Sequence, residues 1–84
     1  MADIEKTREA LRASWRREKE AATLYRLLAE QQREAHRRDL FLKLAEGEEA
    51  HAARFARRLR DLGGEAPGAE VRPNGWARLV TRLF

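Results

Sequence analysis

Apolar side chains recur at helical spacing in two separate stretches of the chain. The first stretch contains Ile4, Leu11, Tyr25 and Leu28, and the second contains Phe41, Leu44, Phe55, Leu59 and Leu62. Steps of three, four and seven residues are typical of one face of an amphipathic helix. No proline interrupts residues 3–62, and the only glycine there is Gly47. Because β-branched residues are few and no run alternates, the pattern predicts an all-α fold.

The phase of the two stripes predicts a helical hairpin. Tyr25 and Phe41 are sixteen residues apart, which is a rotation of about 160° along one helix. A single long coiled-coil helix, the alternative, would therefore place the stripes on opposite faces. A turn between about Gln31 and Asp39 gives them a common interior, with Asp39 as the N-cap of the second helix. Gly63 and Gly64 are expected to end that helix, so the hairpin covers residues 1–63.

The end of the chain has a different composition. Residues 64–75 contain two prolines and several glycines and are expected to form a linker. Residues 76–84 place Trp76, Leu79, Val80, Leu83 and Phe84 at helical spacing. This segment predicts a short amphipathic helix. It could pack on the hairpin, lie on a membrane surface, or lead into a membrane region of a longer natural chain.

Length and composition restrict the classes of function. An 84-residue chain forms one small domain, and one hairpin cannot cover its own apolar stripe, so we expect a homodimer or a higher homo-oligomer built as a four-helix bundle. The absence of cysteine excludes disulfides and thiolate zinc sites. The net charge of +4 comes from fifteen arginines interleaved with glutamates, and no nucleic-acid motif accompanies it. The N-terminus is polar and no long apolar window exists, which predicts a cytoplasmic protein without a membrane span.

Two acids and a histidine interrupt the apolar stripes. Glu48 and His51, one turn apart, lie between Leu44 and Phe55, while Glu18 lies between Leu11 and Tyr25. Carboxylates on an apolar face are costly unless something pairs with them, and a metal ion is the partner that best explains a Glu-x-x-His pair there. A dimer doubles the set to four glutamates and two histidines, which matches the ligands of ferritin-like di-iron bundles. Glu46 and Glu49 are expected to be solvated.

The two metal-ligand segments resemble a known family. Their sequences are Glu18-x-x-Ala21-x-x-x-Tyr25 and Phe41-Leu42-x-x-Ala45-Glu46-x-Glu48-x-x-His51-Ala52-x-Arg54-Phe55. Over about residues 11–63 the chain resembles the first half of rubrerythrin-type ferritin-like domains. It is closer still to the short cytosolic rubrerythrin-like domain ahead of the membrane part in some bacterial relatives of vacuolar iron transporters. It departs from rubrerythrin in its shorter connection, in lacking a second Glu and Glu-x-x-His set, and in lacking the rubredoxin-like cysteine module.

The resemblance implies a di-iron site assembled between two chains. Glu18 would be a terminal ligand, Glu48 a bridging ligand, and His51 a ligand through one ring nitrogen; the same three residues would carry the catalysis. Tyr25 is more typical of a core residue, although its hydroxyl could hydrogen-bond a ligand carboxylate. Iron is the expected metal, with manganese or zinc as alternatives.

Three functions remain open at the level of sequence. The first is oxidation of Fe(II) with oxygen for iron storage or transfer. The second is a module that binds or senses metal without turnover, attached to an iron transporter at the cytosolic face of a membrane. The third is a metal-free helical dimerisation module, which the carboxylates at Glu18 and Glu48 disfavour because apolar residues would dimerise better.

Overall fold

Two antiparallel helices form the fold, as the sequence predicts. A computed structural model describes residues 2–65 of the chain. Helix α1 covers Ala2–Glu30 and helix α2 covers Ala35–Asp61. The two helices pack against each other, and the described residues contain no strand. The prediction of an all-α helical hairpin is therefore confirmed, whereas its dimerisation into a four-helix bundle stays a prediction.

The connection between the helices is shorter than predicted. Gln32 closes α1 by donating from its side-chain amide to the Leu28 carbonyl over 3.0 Å, and Arg38 donates to the Gln32 carbonyl over 2.9 Å. The N-cap of α2 is Glu34, which makes no side-chain capping bond. The prediction of Asp39 as the N-cap is thus wrong. Alanine and arginine are good helix formers, so the polar segment from Ala35 onward begins the helix instead of extending the turn.

Small side chains form the contact between the helices. The buried residues of the described chain are Leu11, Ala22, Ala29, Ala45, Ala52 and Leu59. Alanines at seven-residue intervals let the two backbones approach closely, so the row of direct contact is narrow. The larger side chains of the predicted stripe flank this row; Leu44, for example, remains 47% exposed. This agrees with the expectation that one hairpin cannot cover its own apolar stripe, because one neighbouring helix covers only one row.

The C-terminus of α2 ends at the glycine pair, as predicted. Gly63 has a φ of 77°, in the left-handed region that glycine tolerates best. Its N–H bonds to the Arg60 carbonyl and the Gly64 N–H bonds to the Leu59 carbonyl, both over 2.9 Å. This pair of bonds is the Schellman motif. A side chain at Gly64 would also meet Leu59 at 2.5 Å, so both glycines are required for the helix to end in this way.

Arg8 of α1 caps the end of α2. Its Nε donates to the Leu62 carbonyl over 2.8 Å, and its Nη2 donates to the same oxygen. Hydrogen bonds from charged groups contribute about 1.5–3 kcal/mol, so we expect Arg8→Met to lower the free energy of unfolding by about that amount in thermal or denaturant unfolding. Arg12→Met is the control, because within residues 2–65 Arg12 forms an ion pair with Glu5 at 3.6 Å and no hydrogen bond to α2. Equal stability of the two variants would contradict this role for Arg8.

The predicted C-terminal tail lies almost entirely outside the described residues. Apart from Gly64 and Glu65, the predicted linker at 64–75 and the predicted amphipathic helix at 76–84 lie outside the described residues. Within residues 2–65, neither helix is apolar enough over a sufficient length to cross a bilayer.

Candidate metal centre

Glu18, Glu48 and His51 meet at one edge of the contact between the helices. One ligand atom from each of the three residues lies within 4.8 Å of the others. The Nδ1 atom of His51 is 3.7 Å from Oε2 of Glu18 on the opposite helix. The structure therefore brings together all three of the predicted ligands from two segments thirty residues apart.

The two carboxyl groups of the cluster interact directly. A hydrogen bond with Glu18 raises the pKa of Glu48, and both burial and the negative charge of Glu18 act in the same direction. The proximity of His51 partly opposes this by lowering the pKa of Glu48. Two acids this close together are a group to which a cation can bind, because the cation offsets the repulsion between them.

The cluster faces outward from the single hairpin. The side chain of His51 is 50% exposed, while that of Glu18 is 24% exposed. The imidazole therefore has room for a further partner, and the site is open on the side away from the alanine row. The expectation that Glu48 and His51 lie on an inward face holds only if something covers this edge.

Tyr25 lies two helical turns after Glu18, nearer the connection between the helices and on the same edge. Its ring stacks on Phe41 of α2, with centroids 6.3 Å apart and an interplanar angle of 28°. Among the described residues its hydroxyl donates no hydrogen bond to a carboxylate. Packing is thus what Tyr25 does in the single chain, and its proposed bond to a ligand carboxylate stays a prediction.

Glu49 does not have the solvated position that the sequence suggested. Lys19 donates from Nζ to Oε1 of Glu49 over 2.7 Å, and Arg26 donates from Nη2 to Oε2. The side chain of Lys19 is only 19% exposed and that of Glu49 is 32% exposed. The sequence contained a signal for this contact. If Glu18 and Glu48 lie opposite each other in the hairpin, the residues that follow them, Lys19 and Glu49, are also neighbours, and they carry opposite charges. Glu46, in contrast, is exposed as predicted.

Comparison with known families identifies the kind of domain. The family model described as Rubrerythrin matches residues 9–82, which is most of the chain. The chain belongs to the rubrerythrin family. Neither the curated proteins nor the solved structures gave a match. The resemblance inferred from the ligand segments is therefore confirmed at the level of the rubrerythrin family, and the closer relation to transporter domains stays a prediction.

The donor atoms of this rubrerythrin-family hairpin suit the metal that the family typically binds, which is iron. Two carboxylates and one imidazole provide oxygen and nitrogen ligands without thiolate, a set that favours iron or manganese. Glu18, Glu48 and His51 are thus the residues that would hold a metal ion. Three donors from one chain are too few to fill the coordination of two ions, so a complete di-iron site requires more ligands than one hairpin supplies.

The ion pairs of Glu49 predict a pH-dependent stability. Burial alone would raise the pKa of Glu49, but hydrogen bonds from Lys19 and Arg26, with their charges, lower it below its ordinary value of 4.5. A lowered pKa means that this contribution is present above the ordinary value and is lost as the pH falls through the lowered one. In the absence of metal, the free energy of unfolding of wild type should exceed that of Glu49→Gln by about 1 kcal/mol at neutral pH. This difference should vanish in acid.

Thermal melts of both proteins across this pH range measure the difference. The raised pKa of Glu48 affects stability in the opposite direction, because its contribution is lost as the pH rises. Glu48 is present in both proteins, so its contribution cancels in the difference. A difference in stability that stays constant on acidification would contradict the assignment to Glu49.

Proposed function

We propose that two copies of this hairpin pack face to face and form a di-iron site between them, at which Fe(II) is oxidised by dioxygen. The observation that carries the proposal is the cluster of Glu18, Glu48 and His51, whose ligand atoms lie within 4.8 Å on an uncovered edge. The proposal assigns the metal-binding and catalytic roles to these three residues. Their roles as ligands are inferred from the geometry and from the family.

The surroundings of the metal-centre residues support the proposal that a second copy of the hairpin packs over their exposed edge. Leu44 lies one turn before Glu48 on the same side of α2 and is 47% exposed. Next to it, an open groove of about 580 Å³ is lined mostly by apolar side chains, namely Leu28, Gln32, Arg37, Leu40, Phe41 and Leu44. An exposed apolar groove continuous with an incomplete metal cluster is what a self-complementary interface would bury.

The charges of such a dimer balance. Two carboxylates from each chain give four negative charges, and two Fe(II) ions carry four positive charges. Without metal the four acids would repel one another, which would raise their pKa values, the direction already seen for Glu48 within one chain. Binding of Fe(II) would favour their ionised forms. The dimer therefore favours loading with two ions over remaining empty.

The proposed reaction transfers electrons from iron to oxygen. Each Fe(II) ion loses one electron, and dioxygen accepts two electrons and two protons to give hydrogen peroxide. In this scheme the carboxylates bind both oxidation states and the imidazole of His51 holds one ion. The product Fe(III) is then stored or passed to an acceptor.

Anaerobic addition of Fe(II), followed by air, tests the proposal. Metal analysis should give one iron per chain, and absorbance of Fe(III) should appear on exposure to air faster than in protein-free buffer. Iron that binds at this ratio without faster oxidation would favour the binding or sensing module instead. Absence of iron binding would contradict both and leave a helical dimerisation module.

A further inference from the structure

An ion cluster lies on the opposite edge of the helix contact from the metal centre, at the same level. It consists of Lys19, Arg26 and Glu49. Lys19 follows Glu18 and Glu49 follows Glu48 in the sequence, and a step of one residue turns a helix by about 100°. Each helix therefore presents a metal-centre carboxylate at one edge of the contact and an ion-pair residue at the other.

The cluster fixes α1 relative to α2 at two points. Both carboxylate oxygens of Glu49 accept hydrogen bonds, one from Lys19 over 2.7 Å and the other from Arg26. These two cations are seven residues apart on α1, which is about 10 Å along the helix axis. Sliding α1 along its axis would change the geometry of both bonds, because both donors move together relative to Glu49. The ion cluster therefore favours the observed axial register of the helices.

The metal centre needs such a connection when its two carboxyl groups are ionised. Glu18 and Glu48 repel each other when both are ionised. Ala22 and Ala52 are buried at 0% and 2% exposure near this level, and alanine side chains allow close approach but bury little apolar area. Beside this level of the contact, Glu49 accepts interhelical hydrogen bonds from two side chains of α1.

We infer that Glu49 is a positioning residue for the metal centre: through Lys19 and Arg26 it holds the helices at the register and separation that bring Glu18, Glu48 and His51 together. Glu49 itself is not a ligand, because both of its oxygens already accept bonds on the opposite edge. This inference rests on the proposed function, since it concerns the same site. It predicts that a substitution in the ion cluster, on one edge of the helix contact, alters metal coordination on the opposite edge.

Glu49→Gln in the full chain tests the inference, because it removes the charge and keeps the side-chain shape. Glu46→Gln is the matched control: it makes the same charge change three residues earlier, and among the described residues Glu46 has no ion pair. Co(II) is the probe, because its visible absorption reports coordination geometry without oxidation. Glu49→Gln should raise the Co(II) dissociation constant about 10-fold or more, as loss of supporting residues commonly does, and should change the Co(II) spectrum at saturation. Glu46→Gln should match wild type in both.

A stability measurement separates positioning from simple stabilisation. If Glu49→Gln melts at a lower temperature but binds Co(II) with the wild-type affinity and spectrum, the positioning role is wrong. Lys19→Met and Lys19→Arg provide a second pair of variants, in case Glu49→Gln does not fold. Lys19→Met should reproduce the spectral change and Lys19→Arg, which retains the ion pair, should not; identical spectra for the two would overturn the inference. Failure of wild type to bind Co(II) would instead remove the proposed function, and the positioning role with it.

Discussion

Glu48→Gln is expected to abolish iron binding and Fe(II) oxidation while leaving the helices intact. In the proposed dimer this single change removes two of four carboxylates, both of which would be metal ligands by resemblance to the family. Loss of residues that only support a ligand already costs about 10–100-fold in metal affinity, so loss of the ligand itself should cost more than about 100-fold. The measurements are iron content after anaerobic loading and Fe(III) absorbance after exposure to air.

The metal-free variant should behave in the opposite way. Glu18 raises the pKa of Glu48 through a hydrogen bond and through its charge, which means that ionisation of Glu48 costs the folded state free energy. A neutral glutamine removes that cost, so metal-free Glu48→Gln should melt at or above the temperature of metal-free wild type. Excess Mn(II) should then stabilise wild type, by about 2.7 kcal/mol at 100 times the dissociation constant, and leave the variant unchanged.

Glu46→Gln again serves as the matched control, since Glu46 is exposed and lies two residues from Glu48. It should bind iron and respond to Mn(II) like wild type. Wild-type iron content in Glu48→Gln would place the metal site elsewhere. A large loss of helicity in the variant would show that Glu48 matters for folding, contrary to the pKa argument.

The sequence predicts the hairpin well because its signals are local. The helical spacing of the stripes, the phase difference between Tyr25 and Phe41, and the glycine pair at Gly63 each follow from the geometry of one helix or one turn. The start of α2 was predicted at the wrong residue because the capping signal is also local, whereas the turn is not. Asp39 is a good capping residue by type, but the turn is set by bonds from Gln32 and Arg38, which a scan for capping residues does not detect.

The position of the core could not be read from the same pattern. The apolar stripes include Leu11 and Leu59 of the contact row, but the pattern did not single out the alanines, such as Ala22 and Ala52, that occupy the rest of it. In a pair of helices the closest approach selects small residues, and large ones flank them. In consequence, the stripe that carries Glu18, Glu48 and His51 lies at the edge of the hairpin. This is the side on which a second copy would pack, so the position of the stripe supports the argument for a partner.

The three metal-centre residues were predictable because they share a face with apolar neighbours, where acids need an explanation. Glu49 was not singled out, because its partners are on the other helix and its own surroundings in sequence are polar. Only the register of the two helices, which depends on the whole hairpin, brings Lys19 and Arg26 to it. Contacts of this kind follow from tertiary structure and have no signature within one helix.

Leu44→Asp is expected to dissociate the dimer and, with it, to remove iron binding. Leu44 is 47% exposed in the single hairpin and adjoins the metal centre through Glu48. Full burial of an exposed leucine contributes about 1.5–3 kcal/mol, and about half of Leu44 remains to be buried by a partner. Losing one from each chain would therefore weaken the dimer by about 1.5–3 kcal/mol, or roughly one to two orders of magnitude in dissociation constant. The added carboxylates would also repel Glu18 and Glu48 in the empty site. Light scattering at micromolar concentration measures the assembly, and metal analysis measures the site.

Leu42→Asp is a closely matched control for this substitution. Leu42 is 42% exposed in the same helix, but two residues correspond to about 200° around the axis, so it faces away from the edge that carries the metal centre. The variant should remain a dimer and bind iron like wild type. If Leu42→Asp dissociates the dimer and Leu44→Asp does not, the two copies pack through the opposite edge. In that arrangement Glu18, Glu48 and His51 would stay uncovered, and a site shared between two chains could not form there.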